Sequence, residues 1–527
     1  MRTVRVQGAC LVGTGAELVT VEAGYDRGGG ERTELVLTGL PDAVVRESKG
    51  RLMRTLAANG LSLRTGKLFL NLVPAARRKT GETLDLPLAL AAAAATGHLQ
   101  PSMFGRTIFV GELGIDGKLH AVPGGLAAAL AGRAAGLARF VGPRASAAEA
   151  AWVPGVEAFG AADLGEVVAH LYGTGNLQPL VPRDDAPPRS GPGSLDEVRG
   201  QPTAKLALAA AAAGGHGLLL VGPPGTGKSM LARRLPALLP PPSLEERLEI
   251  SCIRSAAGLW PGGLVRERPF RAPHHSVSHA GLIGGGNPPT AGEITLAHRG
   301  LLFLDELPEF RRDALEALRT PVEEGRVRIA RAGRRIDLPA AFRLVCAMNP
   351  CPCGYRGHPR IPCPCAPSHV ARYARRVSGP LLDRIDLRVE VAAPAVEELA
   401  GAVAKEGRAP AVAEGGARPR DAPPGAAAGE PSAAELARRV ARAVERARTR
   451  QGTAANAALG TDGLDRWVPL DVPARALLAR AQTRRSLSAR AIQALRRVAR
   501  TLADLEDSAD VAPRHLAQAL ALRAPIP

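Results

Sequence analysis

Eight residues, Gly222, Pro223, Pro224, Gly225, Thr226, Gly227, Lys228 and Ser229, fit the spacing G-x-x-x-x-G-K-[ST]. Consecutive backbone N–H groups in such a loop point inward at an anion, and the helix that follows adds positive potential. Glycines at 222, 225 and 227 let the chain curl close to a phosphate. Lys228 is placed to reach the β- and γ-phosphates of a nucleotide, and the Ser229 hydroxyl to ligate Mg²⁺. Downstream, "GLLFLDELPEF" ends an apolar run on Asp305 and Glu306. Taken alone, such a pair is a strand end with solvated acids. Behind a phosphate loop it reads differently: Asp305 holds Mg²⁺ through water and Glu306 polarises the attacking water. "FRLVCAMNP" then ends on Asn349, which could contact the γ-phosphate or the lytic water, or simply form an Asn-Pro turn. In "SGPLLDRIDLRVEV", Arg384 lies between acids, as an ion-pair partner or as a finger offered to a neighbouring subunit's nucleotide.

A second cluster follows directly. "CPCGYRGHPRIPCPC" holds Cys351, Cys353, Cys363 and Cys365, with His358 between the pairs. Four soft ligands suit tetrahedral Zn²⁺ and leave no open position, so an ion there would pin a substrate-facing loop. The alternatives are a reduced tight loop and a redox switch.

These residues need elements to place them. Leu218–Val221, Leu301–Leu304 and the run before Asn349 read as buried parallel-type strands, with a helix opening at Ser229. Before them, "ELVTVEA", "TELVLTGL", "KLFLNLV" and "TIFVGEL" alternate with Ala/Leu-rich helices, giving an α+β unit over 1–180. "VPRDDAPPRSGPGS" marks a linker at 181–194, and 195–395 is the phosphate-loop unit. The stretch 396–432, Pro/Gly/Ala-rich and without periodicity, reads as a disordered linker. Residues 433–527 read as helical: Ile492, Leu495, Val498, Leu502 and Leu505 recur at helical spacing, with arginines on the other face.

The 527 residues allow about three domains at ~150 residues each. Net charge is +18, and the stretch from Pro431 to the end carries 17 Arg against 9 acids. Such a surplus favours a polyanionic partner, against the alternative that it reflects base composition of the coding sequence. Aromatics at 3% argue against a base-stacking channel, so nucleic-acid contacts would go to the backbone. No apolar run is long enough to span a bilayer and no signal peptide is evident, so a cytoplasmic protein without membrane contact is expected. Seven cysteines make no disulfide scaffold in a chain this long.

In this order, Gly222–Ser229, Leu301–Glu306, "AMNP" and "LLDRIDL" resemble an AAA+ ATPase of the magnesium-chelatase-like branch. "RAPHHSVSHAGLIGGG", "NPCPCGYRGHP", "SGPLLDRIDL" and "LSARAIQALRRVARTLADLE" bring the chain closest to the ComM/YifB family. The resemblance covers all but the linkers. It implies an α/β AAA+ core with a C-terminal helical lid, binding ATP and Mg²⁺. It puts Asn349 at sensor 1, Arg384 at the arginine finger and Arg490 at sensor 2. A finger acting between subunits implies a hexameric ring. The family also implies a hairpin within Arg326–Arg343, pointing toward the pore, where six arginines face one aspartate. The N-terminal unit resembles the proteolytic domain of Lon, with Thr83 at the serine position and Ala127 at the lysine position. Ala127 cannot take a proton, so peptidase activity is not expected. For the work driven by ATP, the family implies branch migration on single-stranded or branched DNA. Protein remodelling and chelatase-like metal insertion remain alternatives.

Overall fold

The computed structural model describes residues 3–27, 33–63, 65–75, 79, 82–183, 193–286, 290–331, 334–358, 360–392, 431–452 and 455–525. Most of the stretch expected as a linker at 396–432, the middle of the 181–194 linker and the tip of the arginine-rich hairpin lie outside these residues.

Alternating apolar and polar side chains build a mixed seven-stranded sheet at the N-terminal end. Its order is Thr33–Thr38, Gly66–Val73, Gly15–Asp26, Val4–Val12, Thr107–Phe109, Arg139–Pro143, Glu157–Ala161. Gly66–Val73 shows why: Leu68, Leu70 and Leu72 are buried while the residues between them face outward. The Ala/Leu run Asp85–Ala95 is apolar all round and accordingly lies buried as a helix.

The second sheet has five strands, all parallel. The order is Phe270–Arg271, Leu301–Leu304, Arg343–Met348, Leu218–Val221, Leu387–Glu390. The two central four-residue runs, Leu218–Val221 and Leu301–Leu304, are buried throughout, as strands covered on both faces must be. A two-stranded hairpin, Arg326–Arg331 with Arg334–Pro339, precedes the Asn349 strand. Its apolar face (Val327, Ile329, Ile336, Leu338) is buried, and Arg326, Arg328 and Arg335 point outward.

Among the described C-terminal helices, Ala433–Gln451 and Ala489–Leu505 pack on the helix Pro202–Gly214, Val472–Arg485 and Pro513–Ala521 join the same core, and Thr461–Trp467 packs on Ala489–Leu505. Leu495, Val498 and Leu502 enter the shared core, as their spacing predicts. The arginines of that helix do not all stay on a solvent face. Arg500 is only 2% exposed and pairs with buried Asp504 at 3.0 Å. Asp504 also takes Arg450 at 2.8 Å, Arg496 bonds the Leu464 and Val468 carbonyls, and Arg497 that of Leu459. Part of the basic surplus there is therefore internal structure, which a count of charges along a helix cannot distinguish from a solvated face.

The N-terminal unit is docked on the parallel-sheet unit through a common core in which Leu248 and Leu264 join Val110, Leu126 and Phe140. Inside it the Ser255 hydroxyl donates to the Glu149 carboxylate. The turn at Gly13 meets Ile336 and Leu338 of the hairpin, so the N-terminal unit also backs the hairpin's apolar face.

Candidate nucleotide site

Three parallel strands deliver the predicted residues to one edge of the sheet. Leu218–Val221 runs into Gly222, Leu301–Leu304 into Asp305, and Arg343–Met348 into Asn349. Val221 pairs with Met348 and Leu304 with Cys346, so the three turns emerge side by side. Gly227, at φ +87°, supplies the left-handed backbone that starts the helix Lys228–Arg234, a conformation that costs other residues free energy.

The side chains converge. The Ser229 hydroxyl donates to Asp305 Oδ2 at 2.6 Å, so two hard oxygens, one from the helix after the phosphate loop and one from the end of the strand Leu301–Leu304, share one point. This donor chemistry fits Mg²⁺, which prefers one or two protein oxygens and completes its shell with water and phosphate. Lys228 Nζ donates to the Gly222 and Pro223 carbonyls, both at 2.7 Å, and to Asn349 Oδ1 at 3.2 Å. Burial holds the Lys228 ammonium below its ordinary pKa, with Asp305 and Glu306 opposing that shift. Thr226 closes the loop with a 3.0 Å bond to the Pro223 carbonyl.

Glu306 follows Asp305 in a left-handed conformation (φ +53°, ψ +47°) that non-glycine residues adopt at a cost. That turn swings its carboxylate, 57% exposed, toward His275, whose Nδ1 stands 3.6 Å from Glu306 Oε2. His275 stacks on His274 with ring centroids 4.0 Å apart and meets Phe310 edge-on. The sequence singles out neither histidine. The available signal was a His-His pair starting three residues past a strand, Phe270–Arg271, that pairs in parallel with the Asp305 strand.

Arg384 is not at this edge. It precedes Leu387–Glu390, and its carbonyl abuts Gly217, the residue before the phosphate-loop strand. A strand of four residues spans roughly 13 Å, so Arg384 and Lys228 lie at opposite ends of the sheet. Arg384 Nη2 donates to Glu323 Oε2 at 2.8 Å, and Arg490 donates to the other oxygen of the same carboxylate. The two arginines assigned separate parts by resemblance thus share one anion at the end away from their own phosphate loop.

The four cysteine sulfurs lie within 4.8 Å of one another. Cys351 stands 3.3 Å from Cys353 and 3.5 Å from Cys363, and Cys353 is 3.5 Å from Cys363. Four sulfurs at a Zn–S length of about 2.3 Å would sit about 3.8 Å apart, so the donor set fits a tetrahedral zinc ion. The Tyr355 amide holds the Cys353 thiol down at about 7, while desolvation and the neighbouring thiols push Cys363 up to about 12. His358 is not in the cluster: its Nδ1 accepts the amide protons of Arg360 and Ile361 and turns the chain between the two pairs. The loop also touches the nucleotide site, because Gly354 packs against Pro224 of the phosphate loop.

In the N-terminal unit Thr83 is buried, its hydroxyl donating to the Ala9 carbonyl at 2.6 Å. The void beside it measures about 10 Å³. Ala127, 2% exposed, is core.

Residues 194–399 match the family described as magnesium chelatase, subunit ChlI; residues 21–146 match subunit ChlI of Mg-chelatase, and 429–523 its C-terminal family. The chain is 38% identical to the YifB protein of Salmonella typhimurium, over 97% of this chain and 95% of that one. It is 37% identical to YifB of Escherichia coli over the same shares. It is also 37% identical to the competence protein ComM of Haemophilus influenzae, over 97% of this chain and 96% of that one. No helix among the described residues is long and apolar enough to cross a membrane.

Proposed function

Because the chain belongs to the magnesium-chelatase-like family that includes YifB and ComM, we propose that it is an ATP-hydrolysing AAA+ motor that works on DNA as a hexameric ring. One observation carries the catalytic half: Ser229, Asp305, Glu306, Lys228 and Asn349 meet at a single sheet edge. Gly222–Ser229 cradle the phosphates, Ser229 and Asp305 hold Mg²⁺, and Lys228 moves from its loop carbonyls onto the γ-phosphate. Mg²⁺, when bound, offsets charge on the transferred phosphoryl group. Glu306 takes the proton of the attacking water, and Asn349 fixes that water against the γ-phosphate.

The ring reading is supported by the other end of the sheet. Arg384 and Arg490 lie too far from their own phosphate loop to serve it, yet they are held as a pair on Glu323. In this reading both enter the nucleotide site of the next subunit, so hydrolysis needs a completed interface. A Zn²⁺ on Cys351, Cys353, Cys363 and Cys365 is a second, structural ion. The N-terminal unit is a Lon-like fold without peptidase chemistry: Thr83 is tied to a backbone carbonyl and Ala127 offers no base.

DNA as the substrate is supported by the outward arginines of the hairpin and by a relative named for competence, a process that takes up DNA. Metal insertion has the chelatase family names behind it, but no Asp-x-Ser-x-Ser run of a metal-adhesion partner occurs in the chain. The test is steady-state ATPase, alone and with single-stranded, duplex and four-way-junction DNA at two salt concentrations. Salt-sensitive stimulation by single-stranded or junction DNA is expected. Hydrolysis indifferent to every DNA would move the substrate to protein.

A further inference from the structure

We propose that zinc on the four-cysteine loop braces the phosphate loop, so that nucleotide affinity depends on the metal. This rests on the zinc reading above and adds a consequence for the ATP site. Asn349 ends its strand two residues before Cys351. The chain then turns back through a 3.0 Å bond from the Gly354 amide to the Cys351 carbonyl. Gly354 (φ +85°) lies flat on the phosphate loop: a Cβ there would stand 2.7 Å from Pro224 Cδ and 3.9 Å from Asn349 Cγ. The turn is thus wedged between sensor residue and loop. Lys228 closes the circuit from the far side, bonding Asn349 and the Pro223 carbonyl.

Little else holds that turn. From Asn349 to Ala366 the described residues form no helix or strand, and Arg356, Gly357, Arg360, Ile361 and Pro362 are exposed. Few apolar contacts offset the entropy of ordering such a segment. A bond set joining Cys351 and Cys353 to Cys363 and Cys365 would offset it, since metal binding to an otherwise loose segment is folding free energy. The second pair leads directly into the helix Pro367–Ala374, whose Tyr373 side chain lies beside the Asn349 backbone. The ion therefore links both sides of Asn349 and seats Gly354 against Pro224. Without it, the wedge loosens and the loop loses its backing.

The experiment measures zinc content of the full chain by elemental analysis and the affinity for a fluorescent ATP analogue in excess Mg²⁺. Both are repeated after a zinc-selective chelator and again after adding Zn²⁺ alone, with circular dichroism as the check on folding. The expected result is one zinc per chain and a reversible loss of affinity of about tenfold, the worth of one displaced charge-assisted hydrogen bond. Gly354→Ala, which spares every ligand, should retain zinc and lose affinity similarly. Unchanged affinity in the stripped protein and in Gly354→Ala would overturn the brace while leaving the zinc site standing. Absence of zinc would overturn both. A wild-type chain that binds no nucleotide at all would instead overturn the ATPase reading.

Discussion

At the residue scale the chemistry turns on Glu306. Its left-handed backbone is a local cost that brings the carboxylate beside Asp305 without joining it, Asp305 Oδ1 taking only the Glu306 amide at 3.0 Å. One acid is thereby committed to Ser229 and the metal position, and the other is left free for water. Glu306→Gln should lower ATP turnover by at least about 100-fold, the usual contribution of a general base, with nucleotide affinity retained. His275 adds a refinement. Its ring Nδ1 stands 3.6 Å from the Glu306 carboxylate, close enough to bias its orientation once water or nucleotide is bound. His275→Ala should therefore change kcat and leave binding of an ATP analogue unaltered. A fall in affinity with unchanged kcat would refute that role.

At the element scale the C-terminal helices are held by a buried polar network as much as by their leucines. His216 bridges Asp386 and Thr501 at 2.8 Å each, and Asn456 joins Thr501 to Asp504. Asp504 in turn neutralises Arg450 and Arg500. Asp504→Ala would leave two guanidinium groups buried or half-buried without their carboxylate, a loss of about 3–5 kcal/mol. Thermal or denaturant unfolding measures it. The hairpin obeys simpler rules: period-2 alternation places Val327, Ile329, Ile336 and Leu338 inward and the arginines outward. Arg326→Glu and Arg335→Glu should weaken DNA binding and flatten its salt dependence by roughly one charge per lost phosphate contact, read by fluorescence anisotropy.

At the scale of the whole molecule, two surfaces couple the units. Between the N-terminal and parallel-sheet units, burial holds the Glu149 carboxyl above its ordinary range, against hydrogen bonds from Ser255 and the Leu126 and Gly125 backbone. A raised native value means that the stabilisation is present below the ordinary carboxylate range and is lost as pH rises through the raised value. Glu149→Gln holds the neutral form throughout. The melting temperature of the wild type should therefore fall progressively behind that of the variant as pH rises above the ordinary carboxylate range. The other surface is the shared Glu323 with Arg384 and Arg490. Arg384→Ala should abolish turnover but not nucleotide binding. Mixing it with Lys228→Ala subunits should restore some activity, because a Lys228→Ala neighbour still offers its Arg384 to an intact phosphate loop. Strictly additive, unrescued mixtures would argue that each site is complete within one chain.

The phosphate loop, the acidic pair and the run before Asn349 were legible in the sequence because each is local: an apolar strand followed at once by its chemistry. The core face of Ala489–Leu505 was legible for the same reason, since period alone assigns a face, whereas the hairpin was expected only from the family resemblance. What lay beyond the sequence is contact between distant residues. Arg500 looked like a surface charge until Asp504 and the packing around it made it core. Nothing along the cysteine loop showed that Gly354 meets Pro224, 130 residues earlier in the chain. Arg384 and Arg490 are 106 residues apart and carry no mark of their common partner, Glu323. Spacing along a chain determines which chemistry is available and which face a side chain takes. Only the packing of strands and helices decides which groups share a carboxylate, a wedge or a buried charge, because those energies depend on distance in space.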